Sequence, residues 1–255
     1  MRFDVVTLLP AMFSAVTEHG VVGRACARQI WSLTCWNPRD YAKDAYKTID
    51  DRPFGGGPGM VMMAEPLQLA LDGICAEQQR LGLGRLPVVY LSPQGRPLTQ
   101  AMASNWAVKS GMTLLCGRYE GVDQRLLDAS VDEEVSLGDF VVSGGELPAM
   151  MLIDAVVRLL PGTLHDQKSA LEDSFAGSLL DHPHFTRPEA VSSGSVPAVL
   201  LSGHHLEIAR WRREQALIAT ARKRPELLRR AREEGQLTPA DLAFIARSDF
   251  ANVLN

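Results

Sequence analysis

Apolar residues fall along this chain in short unbroken runs, with longer stretches between them that keep helical spacing. Residues 3–9 form the first run, which Pro10 stops. Two helical stretches, 11–18 and 21–30, flank Gly20, and 31–36 alternates like a second strand. Residues 39–51 are polar with little period. From 66 to 81 the positions Leu67, Leu71, Ile74 and Cys75 keep helical spacing, with Pro66 at the start and Gly82 at the end. Residues 88–91 and 113–116 read as buried strands, and 98–110 (Thr99 as cap) and 122–129 as helices. The run Phe140-Val141-Val142 reads as one more buried strand, and Glu146-Leu147-Pro148 as the first turn of a helix, where proline is tolerated.

This alternation predicts an α/β fold: a mostly parallel sheet with helices on both faces. Ligands of such sheets bind outside the carboxyl ends of the strands. The loops after Leu91, Cys116 and Val142 therefore converge on one candidate site. Residues 147–160 are apolar almost all round, so that helix is expected to cover the sheet and a second surface, most economically another subunit. Asp154 and Arg158 are its exceptions, spaced i,i+4.

After Pro161-Gly162 the period is lost. Residues 163–187 read as a long loop carrying Asp166, Glu172, Asp173 and Asp181 among His165, His182 and His184. His182 and His184 flank Pro183, a weak metal signal beside the commoner solvent-facing histidine. Helices are expected from beyond Gly203 to about Lys223, from Pro225 to Glu234, and from a cap at Thr238. The expected division is an α/β domain over 1–162, an interdomain loop over 163–187 and a small helical domain over 188–255.

Charge changes the picture at the C-terminal end. The chain carries a net −4, but residues 1–202 hold 16 Lys/Arg against 23 Asp/Glu, while 203–255 hold 10 against 7. Within 207–232 nine basic residues face three acidic ones. A basic helical arm on an acidic body suits a polyanion, because phosphate contact depends on local charge. A solvated helix face fits the same residues equally well. No stretch reaches the ~20 apolar residues of a membrane span. The opening residues lack a signal-peptide pattern. Four scattered cysteines with no CxxC fit a reducing cytoplasm better than a disulfide framework or zinc site.

The densest candidate chemistry lies in EEVSLGDFVVSGGELP, residues 133–148. Gly138, Gly144 and Gly145 remove side chains where backbone must turn or come close to a ligand. Bare backbone against an apolar wall suits a flat, hydrogen-bonding group such as adenine, although ordinary glycine turns would give a similar local pattern. The tract Arg52-Pro53-Phe54-Gly55-Gly56-Gly57-Pro58-Gly59 is no triphosphate loop, since Met60 stands where a lysine is needed. It can bring backbone to an RNA phosphate or serve as a surface loop. A GxGxxG fingerprint after the first strand is missing, so a conventional dinucleotide fold has no anchor. Two readings stand on these grounds: a non-catalytic RNA-binding factor with an α/β body and basic arm, and an α/β enzyme with a phosphate-bearing cofactor. The last expects a lysine-bearing phosphate cradle. A pure binder has no use for three glycine-bearing strand-end loops and a loop-borne carboxylate.

Six blocks occur in an order that resembles bacterial tRNA (guanine-N1)-methyltransferases, of the deep-trefoil-knot (SPOUT) class. They are DDRPFGGGPGM, YLSPQGRPL from Tyr90, LLCGRYEGVDQR from Leu114, SLGDFVVSGGELP, EDSFAGSLLDHPHFTRP from Glu172, and VPAVLLSGHHLEIARWR from Val196. The resemblance implies a knotted pocket holding S-adenosylmethionine bent, and a cytoplasmic homodimer whose active site is shared between subunits. It implies methylation of N1 of the guanine immediately 3′ of the tRNA anticodon, where another guanine precedes it, with Mg2+ assisting. By motif position, Tyr90, Leu91, Pro93, Gly117, Leu137, Gly138, Asp139, Phe140, Val141, Val142, Gly144, Gly145 and Pro148 would line the donor pocket. Asp173 would be the general base, Arg158 the stabiliser of negative charge on O6, and Glu120 a residue near donor and target base. Arg52, Gly57, Gly59, Arg210, Arg212 and Arg213 would meet tRNA. Phe140 stands where tyrosine is common in the family, which removes a hydroxyl but not the ring.

Overall fold

In chain order the strands are β1 (Arg2–Val6), β2 (Ser32–Trp36), β3 (Asp50–Asp51), β4 (Val61–Met62), β5 (Val88–Pro97), β6 (Gly111–Cys116) and β7 (Glu133–Ser136). Among them run α1 (Ser14–Thr17), α2 (Gly20–Ala27), α3 (Ala64–Arg80), α4 (Gln100–Ala107) and α5 (Gln124–Ser130), with α6 (Glu146–Val157) after β7. This computed structural model describes residues 1–166, 170, 172–248, 250 and 253; residues 167–169 and 171 of the expected interdomain loop lie outside the described residues. Contacts divide the chain into two compact units, residues 1–167 and 168–255.

Unit 1 is built on a five-stranded parallel sheet in the order β2-β1-β6-β5-β7. Alternation sorts its side chains onto two faces. Phe3, Val5, Val89 and Leu114 join one core with residues of α2, α4 and α6. Val6, Val88 and Leu115 join another with α3 and α5. Burial on both faces is why these strands read as continuous apolar runs. Leu152, Ile153, Val156 and Val157 of α6 are fully covered, each contributing about 2 kcal/mol by burial. One charge lies beneath the sheet: Asp4 accepts from Arg2 at 2.7 Å, Trp36 Nε1 at 2.9 Å and Gln78 Nε2 at 2.9 Å, so it is buried but satisfied.

One sequence expectation needs correction. Phe140-Val141-Val142 is neither strand nor core: it is irregular, and the three side chains are 55%, 83% and 37% exposed. The strand is β7, the acidic-looking Glu133–Ser136, whose Val135 and Ser136 are buried. On α6, Leu147 and Met151 leave an apolar stripe open beside the face that covers the sheet.

Unit 2 carries a short ribbon, β8 (Ala190–Val191) with β9 (Gly194–Ser195), followed by α7 (Ala198–Leu201), α8 (His205–Lys223), α9 (Pro225–Glu233) and α10 (Pro239–Ala246). Leu179, Leu217, Ala221, Leu228, Ala231 and Ile245 form its core. α10 starts with a capping box: Asp241 N–H donates to Thr238 Oγ1 at 3.2 Å and Thr238 N–H to Asp241 Oδ2 at 2.8 Å.

Candidate active site

The middle of β5, which continues past Leu91 where a loop was expected, and the segments that follow β6 and β7 enclose one cleft of about 240 Å3 in unit 1. Tyr90, Leu91 and Pro93 come from the first, Gly117 and Glu120 from the second. Leu137, Gly138, Phe140, Val141, Val142, Gly144 and Gly145 come from the third, with Pro148 at the head of α6. Of the expected donor-pocket residues, Asp139 alone is not part of this lining. The exposed valines and phenylalanine that failed as a strand are thus the wall of the cleft.

Close approach explains the glycine pair. A Cβ on Gly145 would lie 2.7 Å from Cys116 Cα, a contact with backbone that cannot swing away, and Gly145 N–H donates to Gly117 O at 2.9 Å. The loops after β6 and β7 are therefore in direct contact. The glycine tract reaches the same rim. Gly59, at φ +78°, is pressed against the Glu120 side chain so that a Cβ would overlap it, and Glu120 N–H donates to Met60 O at 2.9 Å. Arg52 and Gly57 lie exposed along that tract.

Arg118 and Glu146 were not singled out as site residues, although both sit within the quoted motifs. Glu146 is fully buried, and its carboxylate accepts from Thr7 Oγ1 and from Arg118 Nε, both at 2.9 Å. Arg118 also donates from Nη1 to Ser143 O at 3.2 Å, fastening the loop after β7 to the loop after β6. The only sequence signal was a charged pair at the margins of two glycine loops; that the pair meets becomes evident only in three dimensions. Burial first, and then Glu134, raise the Tyr90 hydroxyl above its ordinary pKa, so Tyr90 enters the cleft wall as a neutral phenol.

Arg158 does not line this cleft. It closes the last turn of α6 and lines a neighbouring apolar groove with Leu147, Met151 and Asp154; Phe140, Val142 and Pro148 border both. Asp173 belongs to unit 2, where it lines a shallow pocket with Glu172, Arg212 and Arg213 and accepts from Ser174 N–H at 2.9 Å. Arg210 is 73% exposed and 3.9 Å from Glu214. Arg213 is held by a two-pronged ion pair with Asp241, at 3.1 and 3.0 Å.

The lining fits an adenosyl sulfonium: uncovered backbone at the glycines, apolar walls at Leu91, Leu137 and Val142, and a single carboxylate, Glu120. Magnesium fits less well. It takes oxygen ligands, and the one cluster among the described residues able to hold a metal, Asp181 with His182 and His184, is mostly imidazole.

The profile of the tRNA (guanine-1)-methyltransferase family, TrmD, matches residues 1–230, spanning both units. The chain belongs to this family. Curated relatives named tRNA (guanine-N(1)-)-methyltransferase include one from Janthinobacterium sp. (strain Marseille), 58% identical over 246 residues, 96% of this chain and 99% of that protein. Another, from Cupriavidus taiwanensis, is 58% identical over 96% of this chain and 95% of its own length. A third, from Burkholderia ambifaria, is 57% identical over 96% and 93%.

Proposed function

We propose that this chain is a cytoplasmic enzyme that uses S-adenosylmethionine to methylate N1 of the guanine immediately 3′ of the tRNA anticodon, in tRNAs where another guanine precedes it. The observation that carries the reading is the convergence of the middle of β5 and the loops after β6 and β7 on one cleft, in a chain matched by this family over residues 1–230. When bound, S-adenosylmethionine supplies a methyl group on a sulfonium, ready for in-line displacement.

The chain's own residues do the rest. The glycine loops and apolar wall hold and bend the donor, and positioning supplies much of the rate. Glu120 lies at the cleft rim beside Gly59, where donor and target base would meet. Guanine N1 is a poor nucleophile until its proton leaves, and Asp173 is assigned to take that proton as general base. Arg158 is assigned to stabilise the negative charge that grows on O6. The Arg52–Gly59 tract and the α8 arginines Arg210 and Arg212 are assigned to tRNA phosphate. As the family resemblance implies, the complete site is assigned to a homodimer, with the base contributed by the partner subunit; the open apolar face of α6 beside Arg158 suits such an interface. The family's trefoil knot through the β5, β6 and β7 segments belongs to the same proposal.

The test is transfer of labelled methyl from S-adenosylmethionine to unmodified tRNA, with the modified nucleoside identified and mapped. Label at guanine N1 beside the anticodon is expected. Asp173→Ala should reduce turnover by a factor on the order of 100 or more while donor affinity stays within about twofold. Methylation of another position, or parallel loss of turnover and donor binding, would contradict the assignment.

A further inference from the structure

The geometry points to a site for a zinc-class divalent ion in unit 2, built from Asp181, His182 and His184. Their ligand atoms lie within 4.8 Å of one another. Asp181 Oδ2 is 2.8 Å from His184 Nε2, and Asp181 Oδ1 is 3.8 Å from His182 Nε2. One carboxylate oxygen thus faces each imidazole, at separations near the roughly 3.3 Å between neighbouring ligand atoms in a tetrahedral zinc site with bonds near 2.0 Å.

Tautomers support the assignment. His182 Nδ1 faces Pro183 O at 3.2 Å, and a carbonyl can only accept, so Nδ1 carries the proton. His182 Nε2, the nitrogen left to bind an ion, is turned toward a carboxylate oxygen, and a cation would bring the two together. A ring nitrogen donating to a backbone carbonyl while the other keeps its lone pair is how metal-binding histidines are usually oriented. At His184 the ion would replace the proton now shared with Asp181 Oδ2.

The backbone beneath the three residues is anchored. Leu180 N–H donates to Thr220 Oγ1 of α8 at 2.9 Å, and Asp181 N–H donates to Ser174 Oγ at 3.0 Å. His182 N–H donates to Asp181 Oδ1 at 2.7 Å, which fixes the carboxylate. The His182 ring sits 6.4 Å from the Trp211 ring and 4.5 Å from that of His184, so its apolar surroundings restrict its rotation. Two imidazoles and one carboxylate suit zinc, cobalt or nickel over magnesium, and three protein ligands leave a coordination position open for water. Such an ion would clamp the turn from Asp181 to His184, close to the pocket that contains Asp173.

The test uses the untagged full-length protein, stripped with a chelator and titrated separately with Zn2+ and Co2+ by calorimetry and visible absorption. One ion per chain is expected, with the intense ligand-field bands of tetrahedral cobalt and no displacement by excess Mg2+. His182→Asn and Asp181→Asn should each weaken Zn2+ binding by about tenfold or more. His184→Asn, at a 72% exposed side chain where folding is not at stake, should do the same. A His204→Asn/His205→Asn control should leave binding unchanged. Absence of saturable binding, Zn2+ affinity that ignores substitutions at 182 and 184, or ready displacement by Mg2+ would overturn the site.

Discussion

Gly145 has backbone on the side where a Cβ would go, and Arg118 has a buried carboxylate to satisfy. These two residues carry most of the shape of the cleft. Gly145→Ala cannot be absorbed by a side-chain rotation and should cost about 1–3 kcal/mol while weakening donor binding. Arg118→Ala should cost about 3 kcal/mol or more, because it leaves Glu146 charged and unpaired in the interior. Denaturant titration checks both. Arg118→Lys keeps the charge but not the fork that also reaches Ser143 O, so it should recover only part of the loss. A loss below about 1 kcal/mol for Arg118→Ala would mean that the pair does not hold the loops together.

Among the elements, α10 offers a pH-dependent test. Burial opposes ionisation of Asp241, but Arg213 and the Thr238 hydrogen bonds outweigh it and hold the carboxyl below its ordinary range. A depressed folded-state pKa contributes stability that is fully present at neutral pH and is lost as pH falls through the folded value. Asp241→Asn should therefore destabilise unit 2 by about 2 kcal/mol at pH 7, a gap that closes in acid below about pH 4. A gap independent of pH would assign the cost to packing. Thr238 was legible as a cap because its signal is local, as was Thr99, whose Oγ1 accepts from Met102 N–H. Strands β1 and β6 and the first half of β5 were legible because burial on both faces makes them largely apolar, and β2, at the edge opposite β7, because its residues alternate. β7 was not. It is an edge strand with glutamates at half-buried positions, while the apolar run beside it belongs to the cleft. An apolar run in sequence gives burial in something, and only the fold decides between core and ligand wall. Arg213, proposed as a tRNA contact, is also engaged by Asp241, a residue 28 positions away, a pairing that local charge does not reveal.

For the whole molecule, Leu147, Met151 and Phe140 are each about half exposed beside Arg158's groove, and a second copy is assigned to cover them. Met151→Lys should convert a dimer to a monomer in sedimentation velocity and abolish methyl transfer, because the base would no longer be supplied across the interface. A fully active monomer would remove the shared site. No helix among the described residues is long and apolar enough to cross a membrane. The basic run lies on α8 and α9, within unit 2. The central claim is that the middle of β5 and the segments after β6 and β7 hold the methyl donor, and hydrogen–deuterium exchange with and without S-adenosylhomocysteine tests it directly. Protection confined to residues 90–93, 117–121 and 135–145 is the predicted result; protection elsewhere, with those three segments unchanged, would contradict it.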